Sequence, residues 1–155
     1  MAKGFKFRLQ TVLDLATRIQ DQKAQALASA QARRQSVAEV LENVIAQQQA
    51  KRDELLEAQQ SGILDLQAIQ WSLQFLGTLA DRVVTQRAAL VKADEEVEAA
   101  RAELMEAAQE VQVLEKLKQK ARADYNLKLD REEAKFIDEL ATVRFVRQGG
   151  LNFGE

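Results

Sequence analysis

A seven-residue repeat of apolar side chains constrains the fold of this chain more than any other feature. One row of the repeat reads Ile69, Leu76, Val83, Leu90, Val97, Leu104 and Val111. The row three residues later reads Ser72, Leu79, Gln86, Ala93, Ala100, Ala107 and Leu114. A strict seven-residue repeat keeps one apolar seam on a helix only when that helix supercoils around a partner helix. The chain is therefore predicted to be all-α and to contain a long coiled-coil helix.

Composition supports a narrow seam rather than a wide globular core. The chain has no proline, and it is 46% apolar but only 5% aromatic, because much of its apolar content is alanine. Alanine favours the helix but fills little core volume. The net charge of −2 gives no electrostatic case for binding nucleic acid. A helical interaction protein without a nucleic-acid partner is expected.

The first half carries a weaker seam, and one break separates the two halves. The seam residues of the first half are Leu9, Leu13, Ala16, Leu27, Ala30, Val37, Leu41, Val44 and Leu55. Gly62 suits the left-handed position that ends a helix, and Asp65 is placed to cap the next one. The pattern predicts a single domain over 1–148, a long antiparallel two-helix coiled-coil hairpin with a longer C-terminal arm. Helix 1 is expected at about 6–60, the turn at about 61–65, helix 2 at about 66–146, and a flexible tail at 149–155.

The longer arm leaves an apolar stripe without an obvious cover. If residues pair about the turn, Phe5 lies near position 119 or 120, and residues from about 121 to 146 extend beyond helix 1. Their stripe consists of Tyr125, Leu129, Phe136, Leu140 and Val143. A lone helix has nowhere to bury such a stripe. Either Phe5 and Phe7 fold onto its base or another protein covers it, and a partner is expected on the distal part.

Catalysis finds little support in the sequence. Without histidine or cysteine, the usual bases, nucleophiles and Glu-x-x-His metal elements are missing. The pairs Glu95-Glu96 and Glu132-Glu133 are expected to form a solvated face. No enzyme activity, cofactor, metal site or small-molecule substrate is predicted. Charged residues interrupt the apolar N-terminal residues, and no apolar run approaches the ~20 residues of a membrane span, so a cytoplasmic protein is expected.

An acidic stretch occupies the middle of the predicted second helix. Its members are Asp94, Glu95, Glu96, Glu98, Glu103, Glu106 and Glu110, and Arg101 is the only basic residue among them. Pairing across the hairpin with Arg18, Lys23 or Arg33 would favour one register. Docking of a basic partner is the alternative.

Two groups of side chains are candidates for partner contacts. Trp71 and Phe75 are spaced i,i+4 and share a helix face, where they either seal the end of the core or anchor a partner. Near the C-terminus, Phe136 shares a face with Leu140 and Val143. The nearby Arg144 and Arg147 suit either stabilisation by the helix macrodipole or docking to a carboxylate-lined surface.

Three segments in the same order resemble the FliJ family of flagellar export proteins. They are the opening Phe5-Lys6-Phe7-Arg8-Leu9-Gln10-Thr11-Val12-Leu13, the central Gln74-Phe75-Leu76-Gly77-Thr78-Leu79, and the closing Lys135-x-x-Asp138-Glu139-x-Ala141-x-x-Arg144-Phe145-x-Arg147. The predicted hairpin and its unequal arms agree with that family. The resemblance therefore covers nearly the whole chain.

The resemblance implies a non-enzymatic component of the bacterial flagellar type III export apparatus. Such a component acts as a coiled-coil stalk on the export ATPase hexamer, links it to the cytoplasmic linker of the membrane export gate, and assists export chaperones. By the same resemblance, Trp71, Phe75 and Leu79 would contact the gate. Phe136, Asp138, Glu139, Arg144, Phe145 and Arg147 would bind the ATPase. The implied location is the cytoplasm, at the inner face of the membrane beneath the flagellum.

Two other classes remain open from the residues themselves. A central stalk subunit of a vacuolar or archaeal-type rotary ATPase would share the hairpin design, although such subunits are usually longer. A generic coiled-coil scaffold would instead self-associate through the same seam. The hairpin stalk is expected to stay largely monomeric, whereas the scaffold is expected to dimerise.

Overall fold

A computed structural model describes residues 4–62 and 65–149 of the chain. They form two helices, α1 (Gln10–Gln60) and α2 (Leu66–Gly149), and the described residues contain no strand. The predicted all-α fold with a longer C-terminal helix is confirmed. Helix α1 begins at Gln10 rather than near Lys6, and α2 runs through Gly77 without interruption. The tail predicted for 149–155 lies, apart from Gly149, outside the described residues.

The residues flanking the break between the helices satisfy the backbone groups that the helices leave unpaired. Gly62 has a φ of +72°, the left-handed conformation that glycine adopts without steric penalty after a helix. At the start of α2, the backbone N–H of Gln67 donates to Oδ1 of Asp65 at 3.0 Å. Asp65 is therefore the N-cap of α2. Helix α1 ends just before Gly62, which leaves helical geometry, and α2 begins where the carboxylate of Asp65 caps its first turn.

The contacts of the chain group into two compact units. Unit 1 comprises residues 4–18 and 108–149, and unit 2 comprises residues 19–62 and 65–107. In unit 2 the helices run antiparallel, since Lys23 lies opposite Glu103 and Arg34, further along α1, lies opposite Asp94. The chain is also antiparallel in unit 1, since Phe5 meets Tyr125 and the later residues Leu13 and Ala16 cluster with the earlier Val111. The single domain expected over 1–148 stays a prediction.

The core of unit 2 is a thin apolar seam. Val44, Leu79 and Val83 form its central cluster with Leu41 beside them, and Leu79 has no exposed surface. Every member of both heptad rows, from Ile69 to Leu114, is buried or half-buried. Among these, Ala93 and Ala107 are more than nine-tenths buried. The repeat thus marks the face of α2 that packs against α1, and the alanines occupy positions where only a small side chain is needed.

Unit 1 has its own small core, and aromatic residues of the N-terminal segment extend it. Leu13, Ala16 and Val111 form the cluster, with Phe7 and Leu114 packed against it. Further along α2, the rings of Phe5 and Tyr125 lie 5.6 Å apart between centroids at 50°. Phe5 therefore contacts the first residue of the stripe, as one of the two expected arrangements requires, whereas Phe7 packs on the small core instead.

Phe5 lies further along α2 than the sequence predicted. It contacts Tyr125 instead of a residue near position 119 or 120. The reason is that residues 4–9 precede α1 and are not helical. A non-helical segment advances by up to roughly 3.3 Å per residue, against about 1.5 Å in a helix. Over the few residues between Gln10 and Phe5, this difference corresponds to more than one extra turn of α2.

Candidate partner-binding surfaces

The first candidate surface is the aromatic pair, which we define as Trp71 and Phe75 on the first turns of α2. Trp71 is 68% exposed and Phe75 is 47% exposed. The Lys51 ammonium lies 5.9 Å from the centroid of the Phe75 ring, within cation–π range. Lys51 also pairs with Glu54 at 3.1 Å, so its position beside the ring is fixed by a second contact. The pair therefore presents a large aromatic surface beside a positioned cation.

Leu79 differs from the two aromatic residues with which the family resemblance grouped it. Its side chain is completely buried against Val44 and Val83. In this conformation Leu79 is a core residue that fixes α2 against α1, and it offers no surface to a partner. Of the three side chains assigned to the gate by resemblance, the structure exposes Trp71 and Phe75 and buries Leu79.

The second candidate surface is the C-terminal face, which we define as Leu129, Phe136, Leu140, Val143 and Arg147. Successive members are three, four or seven residues apart and so lie on one side of α2. Leu129 is half-buried, and every residue from 131 to 148 is exposed. Phe136, Leu140 and Val143 expose 62%, 48% and 51% of their surface. No described residue covers the distal part of this face.

The C-terminal residues assigned by resemblance do not all share that face. Phe136 and Arg147 belong to it, and Arg144 and Glu139 flank it on opposite sides. Asp138 and Phe145 lie on the opposite side of α2 by helical geometry, and Phe145 is 77% exposed. A partner that contacts all the assigned residues would have to wrap around the helix. A partner that contacts one face would reach Phe136 and Arg147 but neither Asp138 nor Phe145.

The acidic stretch is mostly engaged within unit 2. Lys23 Nζ lies 2.8 Å from Glu103 Oε2, and Arg33 Nη2 lies 3.9 Å from Glu96 Oε2. Pairing of Lys23 and Arg33 with this stretch matches the sequence prediction, whereas Arg18 has no ion pair among the described residues. Arg34 Nε also pairs with Asp94, a contact that the sequence reasoning missed although Arg34 adjoins Arg33. Intramolecular pairing therefore accounts for much of this stretch.

A further group missed from the sequence lines a shallow pocket in unit 1. Its residues are Phe5, Lys6, Phe7, Gln10, Lys118 and Arg122. Within the described parts of the chain, none of the three cations has an ion pair. Lys118 occupies the next position of the heptad row after Val111. This charged residue in an otherwise apolar row could have indicated the pocket from the sequence. The pocket adds positive charge where the N-terminal segment meets α2.

The described residues also bear on metal sites and membrane spans. No cluster of acidic side chains within 4–62 and 65–149 is arranged to hold a metal ion. In the same ranges, neither helix combines the length and apolar character that a membrane crossing requires. The surfaces that stand out are apolar and charged patches of the kind that proteins use to bind other proteins.

Comparison with known proteins places the chain in a family. No curated protein matches it. Residues 5–150 match the protein-family model described as Flagellar FliJ protein. This match includes all three segments that resemble the family, from Phe5 to Arg147, and it spans both units. The chain therefore belongs to the flagellar FliJ family.

Proposed function

We propose that this chain is a non-enzymatic coiled-coil stalk of the flagellar type III export apparatus. It binds the export ATPase hexamer through the C-terminal face and the export gate through the aromatic pair, and it assists export chaperones. The observation that carries the proposal is the uncovered stripe of the C-terminal face in a chain of this family. Large apolar side chains that remain exposed in a group are characteristic of partner interfaces.

The C-terminal face is suited to an ATPase surface that offers both apolar and acidic groups. Phe136 and Leu140 provide the apolar contact, Arg147 lies at one end of the face, and Arg144 flanks that end. An arginine can bind a carboxylate through two parallel N–H···O bonds, which fixes orientation as well as adding free energy. Neither arginine has an ion pair among the described residues, so both guanidinium groups are available.

The aromatic pair is suited to an extended linker of the export gate. Tryptophan and other large aromatic side chains dominate binding energy when a partner desolvates them. Trp71 and Phe75 lie one helical turn apart and present two rings that a peptide segment can cover. Leu79 supports this surface from beneath, since its burial fixes the helix that carries the two rings. We therefore assign the contact to Trp71 and Phe75 and the positioning to Leu79.

The mechanism follows from placing an asymmetric helix pair on the axis of a six-subunit ring. Such a pair contacts only some subunits at a time, so it biases ring assembly or nucleotide turnover without catalysing a reaction itself. The chain would then act in the cytoplasm, at the inner face of the membrane beneath the flagellum. Export chaperones would use surfaces that the two larger partners leave free.

A pull-down with single variants tests the proposal. Arg144→Ala should lose binding to the export ATPase while keeping the gate, and Phe75→Ala should show the reverse. Arg131→Ala and Leu73→Ala are matched controls, since both residues are exposed but lie outside the C-terminal face and the aromatic pair. The wild-type chain should also change the hydrolysis rate of the ATPase. Unchanged hydrolysis together with no binding of either partner would refute the proposal.

A further inference from the structure

The C-terminal face is also complementary to itself. We propose that a second copy of this chain docks antiparallel on it, so that two α2 C-terminal segments form a two-helix interface. This interface involves unit 1 of each copy and goes beyond the proposed function. It accounts for the exposed apolar stripe and for the order of charges along it.

The spacing of the face is that of a coiled-coil seam. Its apolar members Leu129, Phe136 and Val143 follow one another at seven-residue intervals, and Leu140 lies between two of them. Glu133 and Arg147 take the remaining seam positions. In an antiparallel overlap centred on Asp138, Phe136 of one copy lies against Leu140 of the other, and this contact occurs twice by symmetry. Phe136 and Leu140 of both copies are thereby covered, whereas Val143 lies opposite Glu133 and Leu129 opposite Arg147 of the other copy.

The order of charged residues along the C-terminal face favours antiparallel over parallel pairing of the two copies. Acidic residues lie at the start of the face, where Glu132 and Glu133 are found, and basic residues lie at its end. The same overlap brings Glu133 of one copy beside Arg144 of the second copy, and again the contact occurs twice. A parallel overlap in register would instead place Glu133 beside Glu133 on the seam and would leave Arg144 three turns away from Glu133 of the other copy. Like charges in such positions oppose pairing, so the antiparallel arrangement is favoured.

These charged groups have no competing partners within the described chain. All the ion pairs of the described residues lie in unit 2, and none involves Glu132, Glu133, Arg144 or Arg147. The pairing energy is therefore not offset by breaking an existing ion pair. Glu139 is the exception to complementarity, because it meets its own copy near the two-fold axis and weakens the dimer.

The size of the face predicts a weak dimer. A helix segment from Leu129 to Arg147 is roughly 27 Å long at about 1.5 Å per residue. Two such segments bury less than the roughly 1,200 Å² typical of stable complexes. The dimer is thus expected at high concentration, and it occupies the face that we propose for the ATPase. A second copy would then shield this face until the ATPase displaces it, a consequence that rests on the proposed function.

Sedimentation of the full chain over a range of concentrations tests the charge pairing. Glu133→Arg and Arg144→Glu should each weaken dimerisation about tenfold, because each replaces two attractive contacts by two repulsive ones. The double variant should regain the wild-type dimer, and Arg131→Glu, on the opposite side of α2, should leave it unchanged. A wild-type chain that stays monomeric, or a double variant without recovery, would overturn the proposal.

Disulfide cross-linking tests the direction, and the absence of natural cysteine makes the result unambiguous. A mixture of Phe136→Cys and Leu140→Cys chains should form a covalent dimer on oxidation, because these two seam positions face each other in the antiparallel overlap. Val143→Cys alone should not, because antiparallel overlap separates the two copies of residue 143 by several turns. Cross-linking of Val143→Cys alone would indicate a parallel dimer and would contradict the proposal, as would a mixture that forms no covalent dimer. The ATPase is absent from these experiments, so their outcome is independent of the proposed function.

Discussion

Unit 2 pairs its charges within itself, whereas unit 1 does not. The five ion pairs of the described residues lie in unit 2, and three of them connect α1 to α2: Lys23–Glu103, Arg33–Glu96 and Arg34–Asp94. Unit 1 has no ion pair among its described residues, although it is rich in both signs of charge. The difference indicates that unit 2 maintains the register of the helices and that unit 1 keeps charged groups available to other molecules.

The two units also differ in how far they bury the apolar residues of α2. Unit 2 buries or half-buries the heptad rows from Ile69 to Ala107 and leaves one concentrated aromatic surface, the pair of Trp71 and Phe75. Unit 1 buries its small core near Leu13 and Val111, but its α2 residues from 131 to 148 are exposed without exception. The same helix thus serves as half of a packed seam in one unit and as an uncovered face in the other. The proposals of partner binding rest on this contrast.

The largest expected effect comes from the core of unit 2. Leu79→Ala should lower the free energy of unfolding by about 2–4 kcal/mol, since Leu79 is fully buried and its removal leaves a cavity. Urea denaturation followed by circular dichroism measures the change. Val84→Ala is the control, because Val84 is 69% exposed and should cost less than about 0.5 kcal/mol. Equal costs for both variants would contradict the burial assigned to the seam.

Two glycines of unit 2 should respond in opposite directions to the same substitution. Gly62→Ala should destabilise the fold by about 1 kcal/mol, because an alanine at a φ of +72° is strained. Gly77→Ala should stabilise it by about 0.5–1 kcal/mol, since Gly77 lies within α2 and an added Cβ meets no atom within 4 Å. Thermal melts of both variants give the signs. A loss of stability with Gly77→Ala would show that this position needs glycine's flexibility.

The smallest expected effect concerns the charges that distinguish the units. Lys23→Gln should reduce stability by a few tenths of a kcal/mol at low salt, because it removes the 2.8 Å pair with Glu103 at the surface. Lys118→Gln should raise stability by a similar amount, since Lys118 and Arg122 are like charges at i,i+4 spacing. Both differences should shrink at high salt. Destabilisation by Lys118→Gln would reveal a partner for Lys118 and weaken the contrast between the units.

The sequence predicted the all-α fold well, because the spacing of apolar residues in a coiled coil directly identifies the packed face of a helix. The rows from Ile69 and Ser72 identified the packed face of α2, and the acidic stretch identified ion pairs with Lys23 and Arg33. The sequence placed Phe5 too early along α2, since periodicity does not show that residues 4–9 are non-helical. The heptad row correctly placed Leu79 on the packed seam, whereas the family resemblance grouped it with Trp71 and Phe75, because a short motif does not distinguish core positions from flanking ones.

The candidate binding surfaces could be predicted from the sequence less completely than the fold. The apolar stripe through Phe136, Leu140 and Val143 could be recognised from its spacing in the sequence. Only the structure shows that no described residue packs against it. The pocket with Lys6, Lys118 and Arg122 is formed by two segments far apart in the chain, and only folding brings them together. The assignment of partners to these surfaces rests on the family and stays a proposal.

Hydrogen exchange with and without the export ATPase tests the central claim most directly. In the free chain, backbone amides of residues 131–148 should exchange faster than those of residues 80–107, which lie in the packed seam of unit 2. Addition of the ATPase should slow exchange at 131–148 and leave 80–107 unchanged. Exchange at 131–148 that is unaltered by the ATPase, with protection appearing instead in the acidic stretch, would contradict the account.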